Sequence, residues 1–594
     1  MATSEDEDEL QRAIALSLQD AADTPAPEES SYDRDLRLAM ALSLEGISEG
    51  HTPTTGSQGS GNGPSQYASA NAPESQTMAQ PQKDASITPT TKPSTTATFG
   101  TLDRKAMEQE RLARLGKRKR SASPHRPSKQ VAKQTHSAKP DGIQYPKGAI
   151  KRTWAYKYPR TDDISFEEVL QAATCNIAVL SSFQWDDKWV LHKADPKRIK
   201  QIWIIGANTD AVREEILQEL AECNTPNVKP HFPPMRATTT MHSKLMLLFH
   251  ETHLRIVIPT ANLMKVEWGE TGKDPKTPGS WQPAVLENTL FLIDLPRRLG
   301  GVVAEKLETA FGHSLVSFLE AQQVGENVRA GLCKFDFSET KHLAFVHSIS
   351  GTHSSGPRRS NTGLPGLATS IRKLDLHNVD RLELDYASSS LGNLKEDFLQ
   401  RIYLAASGLH PLADKAPKGW ADHIRVYFPT HDTVVNSTGG VDCGGIITLN
   451  SKSYNSAAFA RQCLRTHKST RTGLLSHNKI LLARGHKKDG TPFAWVYIGS
   501  ANATESAWGS QNILKSGKES ALKINNWECG VVVPVSTEKL QRLASGEIPP
   551  MSVFQGTIEV PFEFPGGGYE GKKPWFFMDH EPKDEMGRER GFIG

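Results

Sequence analysis

The sequence predicts an α/β protein built from two similar halves and preceded by a disordered N-terminal tail. Near residue 150 the composition changes from polar, Pro- and Gly-rich sequence to mixed apolar segments. Beyond that point, strand patterns such as CNIAVLSSF and RIKQIWIIGA alternate with helical periodicity such as DAVREEILQELAEC. One His, Lys and Asn pattern then occurs twice. The predicted parts are a tail of short helices at 1–48, a linker at 49–149, an N-terminal half at 150–350 and a C-terminal half at 351–594.

The tail carries one short helical pattern twice. Residues 5–20, EDEDELQRAIALSLQD, begin with five acidic residues, which favour a helix N-terminus, and residues 33–45, DRDLRLAMALSLE, repeat the apolar spacing. Spacings of three and four place a small Ala among apolar residues on one helical face. The matched positions are Leu10, Ala13, Ile14, Leu16 and Ser17, then Leu36, Ala39, Met40, Leu42 and Ser43. A pair of amphipathic helices packed on their own domain would show the same spacing.

This repeat resembles a tandem of ubiquitin-interacting motifs, with their acidic lead, Leu, Ala-Ile or Ala-Met, Leu-Ser and trailing acid. The resemblance implies that ubiquitin or ubiquitin chains are a partner, contacted through Ala13 and Ala39 with Ser17 and Ser43. Isolated helices of this length are marginal in water, so we expect order on binding and added affinity from the pair.

The linker is predicted to be disordered, because from about 48 to 102 it holds almost no large apolar residue. A dense basic run follows at Lys117, Arg118, Lys119 and Arg120. Such a run is typical of a nuclear localisation signal, although a nonspecific nucleic-acid contact or a solvated charged tail has the same composition. We expect the protein to act in the nucleus.

Composition argues against several other classes of protein. The six Cys are scattered without Cys-x-x-Cys pairs, which disfavours a structural zinc site and a secreted disulfide framework. No apolar run approaches the roughly 18 residues of a membrane span, and the acidic N-terminus does not fit a signal peptide. The net charge of +3 is too small to indicate a partner. We expect a soluble, intracellular monomer with no membrane partner.

The repeated pattern predicts one site shared by the two halves. Residues 240–262, TMHSKLMLLFHETHLRIVIPTAN, and 476–502, SHNKILLARGHKKDGTPFAWVYIGSAN, each place His and Lys two apart at the start of a strand, where both project from one face. The candidates are His242, Lys244 and Asn262, then His477, Lys479 and Asn502. Glu287, 25 residues after Asn262, and Glu528, 26 residues after Asn502, each begin a further strand and extend the repeat.

These residue types can cleave a phosphodiester. One neutral imidazole attacks phosphorus, while the other, protonated, donates to the leaving oxygen and afterwards activates water. Two Lys and two Asn donate to the nonbridging oxygens. Paired Lys would also repel a divalent metal, so we expect neither a metal nor another cofactor. A carboxylate beside each imidazole fixes its tautomer, which is the role we assign to Glu287 and Glu528.

On these residues the chain resembles the phospholipase D superfamily, whose half-site is His-x-Lys followed by a Gly-Ser-x-Asn type element. Phe249 and Arg484 stand where that superfamily usually has Asp, and tyrosyl-DNA phosphodiesterases share this departure. The segments IPTANL, GSANATESAWG, VYFPTHDTV and VPFEFP followed by KKPW extend the resemblance to that family over roughly 150–594. It implies two phospholipase D-like α-β-α sandwich domains related by pseudo-twofold symmetry.

The resemblance implies a metal-independent DNA repair enzyme that removes topoisomerase I peptide from 3′-blocked DNA ends. His242 would form a covalent phosphohistidine, and His477 would protonate the tyrosine and then activate water, leaving a 3′-phosphate. The Lys and Asn residues would hold the phosphate, and Glu528 would support His242. The family places a Gln near the second His, whereas this chain offers Glu287 or Asn288.

Candidate DNA contacts come from two further segments. Ser388, Ser389 and Ser390 in YASSSLGNL resemble the family's Ser-rich loop that grips DNA phosphate, and RTHKSTRTG supplies Arg465, Lys468 and Arg471. Two alternatives stay open. One is another nuclease, lipid hydrolase or phosphodiesterase of the superfamily, and the other is a ubiquitin-binding adaptor with an inactive core.

Overall fold

The computed structural model describes residues 142–223, 225–271 and 284–577. The predicted ubiquitin-interacting residues and the basic run at 117–120 therefore lie outside the described residues. None of the helices in the described ranges is both long and apolar enough to cross a membrane.

The N-terminal half is built on an eight-stranded sheet in the order β2-β1-β10-β8-β7-β3-β4-β5. Its strands are β1 (Ala149–Thr153), β2 (Asp163–Ile164), β3 (Cys175–Ser181), β4 (Lys200–Ile204), β5 (Val228–His231), β7 (Leu245–His250), β8 (His253–Pro259) and β10 (Thr289–Pro296), while β6 (Thr240–Met241) and β9 (Leu286–Glu287) pair outside it. Its helices are α1 (Phe166–Leu170), α2 (Asp187–Lys193), α3 (Asp210–Glu222), α4 (Ala310–Ala321) and α5 (Glu326–Leu332).

The C-terminal half is built on a sheet in the order β11-β22-β20-β19-β13-β15-β17, which β6 joins as its eighth strand. Its strands are β11 (Ala344–Ser348), β13 (Val379–Ser388), β15 (Ile424–Phe428), β17 (Leu464–Thr466), β19 (Lys479–Lys487), β20 (Pro492–Gly499) and β22 (Asn526–Pro534); shorter strands are β12 (Gly351–His353), β14 (Ser390–Leu391), β16 (Thr448–Leu449), β18 (Leu475–Ser476) and β21 (Leu522–Ile524). Its helices are α6 (Gly356–Asn361), α7 (Gly363–Lys373), α8 (Glu396–Ala406), α9 (His431–Val435), α10 (Ser451–Asn455), α11 (Glu505–Trp508) and α12 (Thr537–Leu540).

The two sheets share one topology. The order β1-β10-β8-β7-β3-β4-β5 matches β11-β22-β20-β19-β13-β15-β17, and in both the first four pairings are antiparallel and the last two parallel. The predicted α/β class with two similar halves is therefore confirmed. One boundary needs correction, because β11 belongs to the second sheet yet precedes the predicted division at 350. The Ser-, Gly- and Pro-rich sequence at about 346–366, which favoured that division, begins within β11 and so does not separate the halves.

Apolar side chains form a central core between the sheets and an outer core on each far side. The central core joins residues such as Leu247 and Ile256 of the first sheet to Leu482 and Val496 of the second. The alternate side chains of the same strands point outward, where helices cover them. The two sheets thus face each other across the central core, to which α4 and α5 also contribute, and further helices cover the far sides.

Two short strands cross between the halves. β6 pairs in parallel with the start of β22, and β18 pairs in parallel with β9. As a result, the backbone N–H of His242 donates to Trp527 O at 3.1 Å, and that of His477 donates to Glu287 O at 2.9 Å. The first His of each copy of the repeat is therefore held by a backbone carbonyl of the opposite half.

Candidate active site

His242 is held by a carboxylate from the opposite half. Its Nδ1 lies 2.9 Å from Oε2 of Glu528, as expected from the sequence. Asn526 Nδ2 donates to the other carboxylate oxygen at 2.9 Å, and the Ser500 hydroxyl donates to Oε2. This arrangement fixes the ring orientation and leaves Nε2 as the nitrogen available for chemistry.

His477 is held by Glu267, which sequence reasoning missed. The Nδ1 of His477 lies 2.8 Å from Oε2 of this carboxylate, which projects from a 3₁₀ turn at Lys265–Trp268. The backbone N–H and side-chain amide of Asn262 donate to its two oxygens, each at 2.8 Å. The second imidazole is thus supported across the halves in the same way as the first.

The prediction that Glu287 supports His477 is wrong. Glu287 is fully buried, accepts a hydrogen bond from the Ser469 hydroxyl, and lies 3.5 Å from Arg152 and 3.8 Å from Arg471. Strand register explains the error. Glu287 lies opposite Ser476, the residue before His477, just as Trp527 lies opposite Met241, the residue before His242. Glu287 therefore matches Trp527 and not Glu528. A shift of one residue turns the side chain to the other face.

Asn288 occupies the position that matches Glu528, but it does not contact His477 directly. Its side-chain oxygen, Oδ1, accepts a hydrogen bond from the Thr260 hydroxyl at 2.8 Å. Its amide lies 3.3 Å from the Glu267 backbone carbonyl and 3.5 Å from the carboxylate. Asn288 therefore steadies the carboxylate that supports His477.

The predicted Lys residues lie against the predicted His residues. Lys244 Nζ donates to the His242 carbonyl at 3.0 Å, and Lys479 Nζ lies 2.9 Å from Nε2 of His477 and 2.7 Å from its carbonyl. Both Lys side chains are buried. A phosphate placed between them would meet two cations in a site that excludes most water.

The two Asn side chains are oriented by their own neighbours. Asn502 Oδ1 accepts three hydrogen bonds, each 3.1 Å long, from the hydroxyls of Ser388 and Ser389 and the backbone N–H of Ser390. With its oxygen occupied, its amide remains as the group that can donate to a substrate. On the other side, Asn262 is fixed by Glu267 and by Gln184, whose backbone N–H donates to Oδ1 at 3.3 Å.

Burial dominates the electrostatics of the site. It lowers the pKa of His242 below its ordinary value, against the opposing effect of Glu528, and lowers the pKa of His477 to about 4. It also lowers the pKa of Lys244 to about 8 and holds that of Lys479 well below its ordinary value, with Lys244 adding to the second effect. Both imidazoles are therefore neutral at pH 7 in the ligand-free protein. Incoming phosphate charge would favour their protonation.

The predicted DNA contacts divide into exposed and buried residues. Ser388, Ser389 and Ser390 lie beside the site, yet two of their hydroxyls hold Asn502. Arg471 is buried, donates to the Thr153 carbonyl and pairs with Asp163 at 3.0 Å, so the expectation of a DNA contact is wrong for this residue. Arg465 is partly buried and donates to the Gln462 and Leu464 carbonyls, while Lys468 is exposed.

Comparison with known proteins places most of the chain in one family. The family profile described as tyrosyl-DNA phosphodiesterase matches residues 149–570. This chain belongs to that family. The ubiquitin interaction motif matches residues 5–21 and 33–47, which confirms the resemblance seen in the tail.

Two curated relatives give the extent of the similarity. The chain is 26% identical over 402 residues to tyrosyl-DNA phosphodiesterase 1 of Arabidopsis thaliana, covering 65% of this chain and 61% of the relative. It is 25% identical over 360 residues to the Drosophila melanogaster protein of the same name, covering 57% of each chain. The match thus spans about three fifths of these relatives.

A solved structure supports the fold. The crystal structure of the yeast tyrosyl-DNA phosphodiesterase aligns with a TM-score of 0.51 and 17% identity, covering 73% of this chain and 100% of the yeast chain. The chain therefore shares the fold of the yeast protein.

Proposed function

We propose that this chain hydrolyses the bond between a DNA 3′-phosphate and a tyrosine side chain. The observation that carries the proposal is the convergence of two His-Lys-Asn sets, each with its imidazole backed by a carboxylate from the other half. Family membership supports a phosphodiester substrate.

In the first step, Nε2 of neutral His242 attacks phosphorus and the phosphorus–oxygen bond to tyrosine breaks. The side chain of His242 is 12% exposed, against 5% for His477, which favours His242 as the nucleophile. His477, protonated once the anionic substrate is bound and with Glu267 at its Nδ1, passes the Nε2 proton to the leaving tyrosine oxygen.

In the second step, His477, now neutral, takes a proton from water as the water oxygen attacks the phosphohistidine. The phosphorus–nitrogen bond to His242 breaks, and DNA leaves with a 3′-phosphate. The ammonium groups of Lys244 and Lys479, with the amide of Asn502, stabilise charge on the nonbridging oxygens in both steps.

A single assay tests this chemistry. A 3′-phosphotyrosyl oligonucleotide is incubated with EDTA and with wild-type protein, His242→Ala or His477→Asn. We expect wild-type turnover without metal, no turnover by His242→Ala, and a DNA adduct that accumulates on His477→Asn. Inhibition by EDTA, or an adduct formed by His242→Ala, would contradict the mechanism.

We further propose that the tyrosine belongs to a topoisomerase I peptide and that the tail recruits the enzyme, in the nucleus, to ubiquitylated protein trapped on DNA. The two matched ubiquitin interaction motifs support this recruitment. Substituting both Ala13 and Ala39 by Gln should reduce capture by ubiquitin chains at least tenfold, because bulk at the centre of the face blocks close approach. Undiminished capture would refute the role of the tail.

A further inference from the structure

Two distant segments of the chain are basic and almost free of acidic residues. Residues 340–374 contain no Asp or Glu, and residues 506–527 contain three Lys against one Glu. Over the whole chain acidic and basic residues nearly balance, with 70 Lys and Arg against 67 Asp and Glu. Charge of one sign concentrated in two segments is a local feature that the net charge conceals.

The fold brings these segments together as a two-stranded ribbon. β12 and β21 pair in antiparallel fashion, with Thr352 opposite Lys523. Both of these side chains are exposed, whereas the neighbouring His353 and Leu522 are buried beneath them. The pairing therefore presents one solvent-facing surface drawn from both segments.

The acidic residue of the second segment is already neutralised. Glu519 forms an ion pair with Arg359, which leaves exposed positive charge on Arg358, Lys515 and Lys518 in addition to Lys523. These four residues are called the basic ribbon below. Exposed Ser and Thr hydroxyls lie among them at Thr352, Ser354, Ser355 and Ser516.

The basic ribbon begins at the edge of the active site. Asn525 links β21 to β22, and its carbonyl accepts hydrogen bonds from Thr240 N at 3.1 Å and from Ser350 Oγ at 3.0 Å. Along this extended chain Lys523 stands five residues before Glu528. At about 3.3 Å per residue, the backbone of Lys523 lies within about 17 Å of that of Glu528, whose carboxylate supports His242.

We propose that the basic ribbon binds the phosphate backbone of DNA upstream of the reacting 3′ end. One strand carries a phosphate every 3.4 Å of duplex axis, so about 17 Å corresponds to roughly five base pairs. Lys and Arg interspersed with Ser and Thr are the side chains that contact DNA phosphates without reading sequence. The inference rests on the proposed function, because it takes the 3′ end to occupy the active site.

The test is equilibrium binding of the full chain to an unmodified 20-base-pair duplex, measured by fluorescence anisotropy over a range of salt. We compare wild type with the combined Lys515→Ala, Lys518→Ala and Lys523→Ala variant. The matched control combines Lys197→Ala, Lys200→Ala and Lys306→Ala, which are equally exposed. A Lys-to-Arg version of the ribbon variant keeps the charge.

We expect the plot of log binding constant against log salt concentration to be shallower for the ribbon variant, its slope being smaller in magnitude by about 2 to 3, since each lost phosphate contact removes about 0.9. The control and the Arg version should keep the wild-type slope. An unchanged slope in the ribbon variant would overturn the proposal, and so would an equal loss in the control. Unchanged DNA binding with weaker capture by ubiquitin chains would overturn the proposal and assign the ribbon to ubiquitin binding instead.

Turnover separates this proposal from the proposed function. On a single-nucleotide 3′-phosphotyrosyl substrate, which has no phosphate upstream of the reacting one, the variant should match wild type in kcat and KM. On the phosphotyrosyl duplex only KM should rise, about tenfold. Failure of wild type to cleave either substrate would refute the enzymatic function, while the binding experiment would still decide the role of the ribbon.

Discussion

The exchange of Glu267 for Gln is the sharpest test of how the site works. In the structure both oxygens of the Glu267 carboxylate accept hydrogen bonds. Oε2 accepts from the backbone N–H of Asn262 and from His477 Nδ1, and Oε1 accepts from the side-chain amide of Asn262. An amide keeps the shape of the side chain but must turn its NH₂ group toward one of these donors. It therefore either repels Asn262 or forces His477 into the other tautomer.

The size of the effect follows from the lost charge and the lost alignment. A unit charge about 4 Å from the protonated ring contributes about 4 kcal/mol at an effective dielectric of 20, an upper value for Glu267 on His477. Carboxylate-to-amide exchanges behind a catalytic imidazole cost between about 10²-fold and 10⁴-fold. We expect kcat to fall within that range, equivalent to about 3 to 5 kcal/mol.

The direction of the pH effect provides a second readout. Glu267 raises the pKa of His477 against the effect of burial, so its removal lowers that pKa further. The protonated ring needed for the leaving tyrosine then becomes rarer at neutral pH, and residual activity should be highest at lower pH than in wild type. A DNA 3′-phosphate ester of nitrophenol has a leaving group that needs no proton. Glu267→Gln should release the first equivalent of nitrophenol from it at a rate much closer to that of wild type.

The matched control is Glu287→Gln, which alters a buried carboxylate that touches Ser469 and two Arg residues but neither imidazole. We expect it to lower stability while kcat of the folded fraction stays within about threefold of wild type. Single-turnover rates and urea unfolding of both variants decide the matter. Loss of kcat in Glu287→Gln with retention in Glu267→Gln would refute the assignment of His477's partner.

Two further predictions concern hydrogen bonding and stability. Ser389→Ala removes one donor from Asn502 Oδ1 and should lower kcat about fivefold, equivalent to about 1 kcal/mol. Ser390→Ala should leave kcat unchanged, because the backbone N–H of that residue makes the contact. A larger loss of the single-turnover rate in Ser390→Ala than in Ser389→Ala would contradict this account. Burial lowers the pKa of His250 to about 3. His250 thus stays neutral in the folded protein but binds a proton when unfolded below pH 6.5, so this residue alone should contribute about 2 kcal/mol to the fall in the free energy of unfolding from pH 7 to pH 5. Urea midpoints that fall equally in wild type and His250→Phe would show that another group is responsible.

The sequence predicted which His, Lys and Asn residues the structure places at the candidate site, because each half repeats both residue type and spacing. His242 and His477 could be matched, and Glu528 followed from its place at the start of a strand. Glu287 was matched one residue too early. The distance from Asn502 to Glu528 is 26 residues, and the same distance from Asn262 reaches Asn288. Equal spacing was the signal that could have corrected the register.

Glu267 carried no such signal. It lies five residues after Asn262, in a 3₁₀ turn, whereas the residue five positions after Asn502 is Ala507. A group that only one half supplies cannot be found from a repeat. Arg471 shows the converse problem, since a basic stretch looks exposed in sequence, and only the packed structure reveals the buried partners Thr153 and Asp163.

The crossing of β6 and β18 has a consequence for fragments of the chain. A protein ending after the first sheet would retain His242, Lys244 and Asn262 but would lack Trp527 and Glu528, and its Glu267 would have no imidazole to hold. Each half alone would therefore lack the carboxylate that supports its own imidazole. Two separately expressed halves should show activity only when they reassemble. A half in which the supporting Glu is substituted should not restore activity to the other half, whereas the unsubstituted half should.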